Sequence, residues 1–408
     1  MRISFLCISF EPGKDGVGDY VRQFVRALRL RGHDCQVLAL ADRYVDVPVR
    51  ARDLDEDIDL VRIPAAAWHR GDLQPAIDAL ERFAPDWVSL QMVSYGYEPR
   101  GMLWRSARRF ASLRTAARRH VMFHELWIGE ARGSSLRSRI VGWVQKRLLL
   151  RLVRLWSPIL VHTSIPAFRQ MLCRAGIVAE ELGLPGNIPI IQCDPASARR
   201  ALFERLQLGQ EDTTRVLLAG VFGSVHPEFS RPEWLRRLAA AARDNARRLV
   251  IVHFGRADAA GQSDLVALRE ALHADVRIVE LSEMPPEAVS LVMQGLDFGV
   301  ATTPWLAIGK SGSVASMIEH GLAVVVPRTD VRLRTGLTAE SAPDQLLFRT
   351  EEFSRLVSAG RIPRRTPQVR QDVYDRFAAS LQQVRCGHPQ RGVGQTQFSD
   401  TESPLGPG

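Results

Sequence analysis

ISFLCISFEPGKDGVGDYVRQFVRALRLRGHDCQVLAL (Ile3–Leu40) decides the fold of this chain. An apolar run, Ile3–Phe10, reads as a strand and gives way to a glycine-bearing turn, Gly13–Gly18. Val21, Phe24, Val25 and Leu28 then recur at i, i+3, i+4 and i+7, the period of a helix with one buried stripe. Gly32 stops that helix and Cys35–Leu40 is a second strand. Strand, turn, helix, strand is the unit of a parallel sheet, since parallel neighbours need a long crossover.

The alternation continues. Strands are predicted at Leu60–Ile63, Trp87–Gln91, His120–Phe123 and Pro158–His162, with helices at Pro75–Phe83 and Arg105–Ala117. A Pro/Gly-rich stretch, Gly183–Pro189, and a short helix near Ala196–Leu206 follow, and then the pattern restarts. Its strands are Val216–Gly220, Arg248–Phe254, Val276–Val279, Phe298–Ala301 and Ala323–Val326, with a helix over Trp234–Asn245. The fold class is therefore α/β, with two doubly wound, Rossmann-like domains at residues 1–185 and 186–365. A helix over Val369–Val384, within 366–386, is expected to cross back, and 387–408 has no apolar periodicity, which predicts a disordered tail. A length of 408 residues accommodates two such domains.

Composition bounds the setting. The five cysteines form no C-x-x-C pair, which argues against a disulfide frame or a zinc site and for a reducing compartment. No apolar run matches a signal peptide or a membrane span, so a cytoplasmic location is expected. Charge is uneven: Arg100–Ala175 holds 16 Lys/Arg and two acids, a net +14 against +9 for the whole chain. A field so concentrated implies an anionic partner, such as a membrane surface, nucleic acid or a phosphorylated substrate. No nucleic-acid module accompanies it, which makes nucleic acid the weakest of the three.

Gly309–Pro327, GKSGSVASMIEHGLAVVVP, carries the strongest chemical signal. A Gly/Ser turn with Lys310, one of only three lysines, opens a short helix that Gly321 closes before a β-branched run. Bared helix-start amides attract phosphate, and Gly309 and Gly312 let backbone approach a ligand. It is not a Walker motif, because the first glycine would fall on Pro304. The turn after strand one is not a dinucleotide fingerprint either, since Gly16 and Gly18 would need a glycine at Val21. Ordinary strand–helix connections remain the alternative for both turns.

Together these residues resemble retaining glycosyltransferases of family 4. Asp15-Gly16-Val17-Gly18-Asp19-Tyr20-Val21 with Arg31-Gly32-His33-Asp34 is similar to their N-terminus, and Pro85–Val88 and His124–Trp127 to later landmarks. Gly220–Ser224, Phe254–Arg256 and Gly309–Pro327 resemble their donor-side loops, so the likeness runs from about residue 3 to 330. The resemblance implies a GT-B architecture: two Rossmann-like domains facing a cleft, with a nucleotide-diphosphate sugar as donor substrate and no resident cofactor or metal. It further implies donor contacts from Gly223, Ser224, Gly255, Arg256, Gly309, Lys310, Ser311, Gly312 and Ser313. The acceptor side falls to Gly16, Val17, Gly18, Asp19 and Tyr20, and a catalytic role to His124, although a lone histidine at a strand end also reads as structural.

The departures are specific. The family's paired glutamates, E-x7-E, fall on Ile308 and Ser316. Glu319, on the same helix face as Ser316, stands as a substitute, with a solvated carboxylate as the alternative. Ser224-Val225-His226-Pro227 replaces the family's basic residue after the Phe-Gly turn, and Lys310 would supply that charge. The acidic run Asp53–Asp59 reads as a solvated loop rather than a metal site. Over Arg139–Trp156, Val141, Val144, Leu148, Leu152 and Leu155 recur at helical spacing opposite Arg139, Lys146, Arg147, Arg151 and Arg154. Such a helix suits either a core contact or an anionic leaflet, the latter matching a lipid-linked acceptor. The expectation is a metal-independent, retaining transferase for a glycan or lipid-linked acceptor; the alternative is a catalytically silent GT-B protein that binds a nucleotide-sugar or a partner.

Overall fold

The structure, a computed structural model, describes residues 1–53, 58–208, 213–225, 229, 231–256, 259–272, 276–329, 331–334, 336 and 344–386. Most of the acidic run Asp53–Asp59, His226, Pro227 and the tail 387–408 lie outside the described residues.

The first half forms an eight-stranded sheet. Its strands are β1 (Arg2–Cys7), β2 (Asp34–Asp42), β3 (Val49–Asp53), β4 (Ile58–Pro64), β5 (Trp87–Met92), β6 (Arg118–Phe123), β7 (Leu160–Thr163) and β8 (Glu180–Glu181). Their order is β3-β4-β2-β1-β5-β6-β7-β8. All neighbours are parallel except β3, which pairs antiparallel with β4. The second half forms a six-stranded parallel sheet, β11-β10-β9-β12-β13-β14. These strands are β9 (Val216–Phe222), β10 (Arg248–Phe254), β11 (Arg277–Glu280), β12 (Phe298–Val300), β13 (Val324–Val326) and β14 (Leu347–Arg349).

Both faces of each sheet are covered, as near-continuous apolar strands require. In β1, Phe5 faces the helix Gly16–Arg29 while Leu6 joins the opposite core with Trp68, Phe110 and Trp156. The terminal helix Gln371–Cys386 packs on the first sheet, not the second: Phe377 meets Phe24 at 5.4 Å between ring centroids, and Arg31 Nε lies 2.7 Å from the Asp375 carboxylate. No helix among the described residues is long and apolar enough to cross a membrane.

The strand expected over Ile3–Phe10 stops at Cys7, and Phe10 N donates to the buried Asp42 carboxylate at 3.3 Å instead of a neighbouring strand. The helix expected over Arg105–Ala117 spans only Ser106–Ser112, because Leu113 turns out of helical geometry. The helix Leu136–Trp156 buries Leu148, Leu149, Leu152, Val153 and Trp156, but Leu155, assigned above to its apolar stripe, is exposed. The outward face carries Leu136, Ile140 and Trp143, which are 68%, 57% and 57% exposed. They lie at i, i+4 and i+7 beside exposed Arg137, Arg139, Arg147 and Arg154.

Candidate functional site

In an open α/β sheet, ligands gather off the carboxyl ends of the strands where the strand order reverses. Here β1 lies between β2 and β5, and β9 between β10 and β12, so each half has one such point. A cavity of about 760 Å³ joins the two. From the first half it is lined by Asp15, Gly16, Val17, Tyr20, Val93, His124 and Glu125, which follow β1, β5 and β6. From the second come Phe222 and Ser224 at the end of β9, Val300–Pro304 at the end of β12, and Lys310–Val314 at the start of the helix Gly312–Glu319.

The donor-type loop sits at the junction of the halves. Ser311 caps the helix Gly312–Glu319, its hydroxyl accepting from Val314 N, and first-turn amides have no carbonyl partner inside a helix. Lys310 lines the cavity with its ammonium 5.5 Å from the Phe168 ring centroid, on the first half's side of the cleft. Gly309 stands just behind: a side chain there would meet Ser164 O at 3.2 Å. Gly223 lies against Ser313, also behind the lining. Arg328, which sequence reasoning missed, lines the cavity from immediately beyond the Gly309–Pro327 motif.

Two expected donor residues are turned elsewhere. Glu319 does not line the cavity; it is buried and its Oε1 accepts from Gly186 N and Arg370 N, each at 3.1 Å. Burial pushes its carboxyl above the usual value, against the lowering effect of those two amides. Gly186 is held so closely to this helix that a Cβ would meet Ser316 Cα at 2.8 Å. Ser316, at the family's glutamate position, accepts from Asn187 N at 3.0 Å and donates to Asn187 Oδ1 at 3.1 Å. The linker thus covers the helix face that carries Ser316 and Glu319, and Asn187 itself lines the cavity. Arg256, following Gly255, is drawn away by Glu283 at 2.8 Å and donates to Gly13 O at 3.2 Å, tying the second half to the first half's turn outside the cavity lining.

On the acceptor side, Asp15 caps the helix Gly16–Arg29 through Val17 N at 3.1 Å and accepts from Ser9 Oγ at 3.0 Å. Gly16, Val17 and Tyr20 reach the cavity. Gly18 does not: it packs on β1's exit, where a Cβ would sit 2.7 Å from Ser9 O. Asp19 instead closes the turn by accepting from Gly13 N at 3.0 Å, and burial raises its carboxyl. His124 lines the cavity, edge-on to Tyr20 at 4.8 Å, with Nε2 2.9 Å from Gln91 Oε1. Burial pushes its imidazole down to about 3, so it is neutral near pH 7.

No protein-family model matches this chain, and no curated protein matches it. Solved structures share its fold. HepE of Anabaena, in complex with UDP and glucose, is 14% identical over 94% of this chain and 95% of that one, at a TM-score of 0.54. The catalytic domain of starch synthase IV from Arabidopsis thaliana, bound to ADP and acarbose, is 13% identical over 95% and 96%, at 0.52. A glycosyltransferase from Rickettsia africae is 11% identical over 95% and 99%, also at 0.52. With the two parallel-sheet halves described above, this likeness gives the chain the GT-B fold.

Proposed function

We propose that this protein is a retaining, metal-independent glycosyltransferase that moves a sugar from a nucleotide-diphosphate sugar to a glycan or lipid-linked acceptor. The observation that carries the reading is the meeting of Lys310 and the capped start of the helix Gly312–Glu319 with His124 and Gly16–Val17 around one cavity. When the sugar leaves, negative charge builds on the diphosphate, and an ammonium with preorganised amides stabilises it where it forms. His124, neutral and beside Tyr20, faces the transferred sugar or the attacking hydroxyl. The ligands of HepE and starch synthase IV make uridine and adenosine diphosphate sugars the first donors to try. A thermal-shift panel of UDP-, GDP- and ADP-sugars tests this: at least one raises the melting temperature, and Lys310→Ala removes most of that shift. No stabilisation by any donor refutes the reading.

One observation favours a second reading, a silent protein that binds a nucleotide-sugar or partner: no carboxylate of the helix Gly312–Glu319 lines the cavity. Donor binding without hydrolysis or transfer across acceptor panels selects it. For the lipid-linked acceptor, the outward face of the helix Leu136–Trp156 supplies the membrane contact, at the cytoplasmic leaflet. Leu136, Ile140 and Trp143 enter the interface while Arg137, Arg139, Arg147 and Arg154 meet anionic headgroups. Trp143→Ala, or charge removal at Arg147 and Arg154, should abolish pelleting with phosphatidylglycerol vesicles at low salt; unaltered pelleting refutes the contact.

A further inference from the structure

Behind His124, buried polar side chains form one continuous file across the first sheet. His124 Nε2 meets Gln91 Oε1 at 2.9 Å, and Gln91 Nε2 meets Ser89 Oγ at 2.7 Å. Ser89 Oγ lies 2.8 Å from His120 Nδ1, and His120 Nε2 lies 3.0 Å from His162 Nδ1. His162 Nε2 then lies 3.6 Å from the Glu180 carboxylate, which reaches the protein surface. The five inner members are buried, Glu180 is 61% exposed, and Phe377 of the terminal helix covers His120 and His162 at 5.3 and 6.1 Å.

With one proton on each imidazole and the Ser89 hydroxyl donating within the file, the donor inventory permits two consistent runs. In one, every donor points toward Glu180: His162 Nε2–H, His120 Nε2–H, the Ser89 hydroxyl, the Gln91 amide and His124 Nε2–H. His124 Nδ1, which makes no hydrogen bond among the described residues, is then a lone pair. In the other, the Gln91 amide is flipped, every donor reverses, and the His162 lone pair confronts a carboxylate. Contact with His162 holds the Glu180 carboxyl below its usual range, so the charge that decides between them is present near pH 7. Burial pushes His120 well below the ordinary imidazole value, as it does His124, which keeps both singly protonated.

We propose that Glu180, through His162, His120, Ser89 and Gln91, fixes His124 as the Nε2–H tautomer, so that Nδ1 is presented as a hydrogen-bond acceptor for a substrate hydroxyl in the cleft. All five are positioning residues. The inference rests on the glycosyltransferase reading only for the hydroxyl, because the tautomer is read in the protein alone.

The test is side-chain ¹⁵N NMR of histidine-labelled full-length protein. His124 is assigned by its loss in His124→Gln. Wild type should show protonated Nε2 and acceptor-type Nδ1. Glu180→Lys, an exposed change, inverts the terminal charge and should convert His124 to Nδ1–H or a mixture, with the melting temperature held; Glu180→Asp should restore wild type. Ser89→Ala, which cuts the file, should also mix the tautomers. A His124 already protonated on Nδ1 in wild type, or unmoved by Glu180→Lys, overturns the proposal whether or not the protein transfers sugar. If a donor is found, Glu180→Lys should lower kcat by about 10-fold or more at little-changed donor KM.

Discussion

Replacing Glu319 separates a scaffolding carboxylate from one that grips a donor. Its Oε1 is the acceptor for Gly186 N, which is buried, and for Arg370 N, which is half-buried. Glu319→Ala leaves both amides without that partner, and a buried unsatisfied group costs roughly 1–3 kcal/mol. Taking the lower end for Arg370, the total is about 3 kcal/mol. Glu319→Gln retains an oxygen where Oε1 stands and should cost about 1 kcal/mol or less. Thermal unfolding at neutral pH reads both. The pH dependence has a definite sign: burial raises the folded carboxyl above 4.5, so the folded state holds its proton more tightly than the unfolded chain. Its contribution is present below the unfolded value and lost as pH rises through the folded one, so wild type should lose ground to Glu319→Gln as pH rises from 4.5 through the folded value. Because the side chain does not line the cavity, Glu319→Gln should keep donor affinity within about twofold, under 0.5 kcal/mol. A tenfold loss of nucleotide affinity with unchanged unfolding would refute the scaffold role.

Two further outcomes follow from buried groups. His124 is depressed from 6.5 to about 3 in the folded state, so the unfolded chain takes up its proton first and stability falls as pH drops through that window; in His124→Gln the melting temperature should decline less between neutral and mildly acidic pH. Phe377→Ala removes the ring that joins the terminal helix to Phe24 and the first sheet, at a cost of about 3–5 kcal/mol, and limited proteolysis should then cleave within Gln371–Cys386 first.

Periodicity carried most of the architecture, since the Val21–Leu28 stripe and the apolar strand runs follow directly from which faces are buried. β3 escaped because VRARD holds only two apolar residues, Val49 and Ala51, among charges, and pairs at the sheet edge. Where side chains stand apart from the cavity, one cause recurs. Helical spacing put Ser316 and Glu319 on one face, which is true, but only packing shows that Gly186 and Asn187 occupy that face. The resemblance made Arg256 a donor contact, whereas Glu283, 27 residues on, binds its guanidinium. The polar file was invisible for a related reason. Ser89, Gln91, His120 and His162 stand in three strands, and β5–β6–β7 register is needed before they become neighbours.

The charges around the cavity divide by half: Lys310 and Arg328 come from the second, Asp15 and Glu125 from the first. In the proposed reading the diphosphate therefore meets the second half's cations. In the same reading the helix Gly312–Glu319 offers the ribose no carboxylate. Ser316 donates to Asn187 Oδ1, and the Asn187 side-chain amide nitrogen makes no hydrogen bond among the described residues. A neutral amide donor makes a hydrogen bond roughly half as strong as a charge-assisted one. Donor affinity should then rest on phosphate rather than sugar-ring contacts: trimming a nucleoside diphosphate to the monophosphate should cost more affinity than removing the ribose 2′-hydroxyl. Calorimetric titration of the two analogues decides it, and a larger loss for the 2′-deoxy compound would mean that the ribose is gripped by a group other than Asn187.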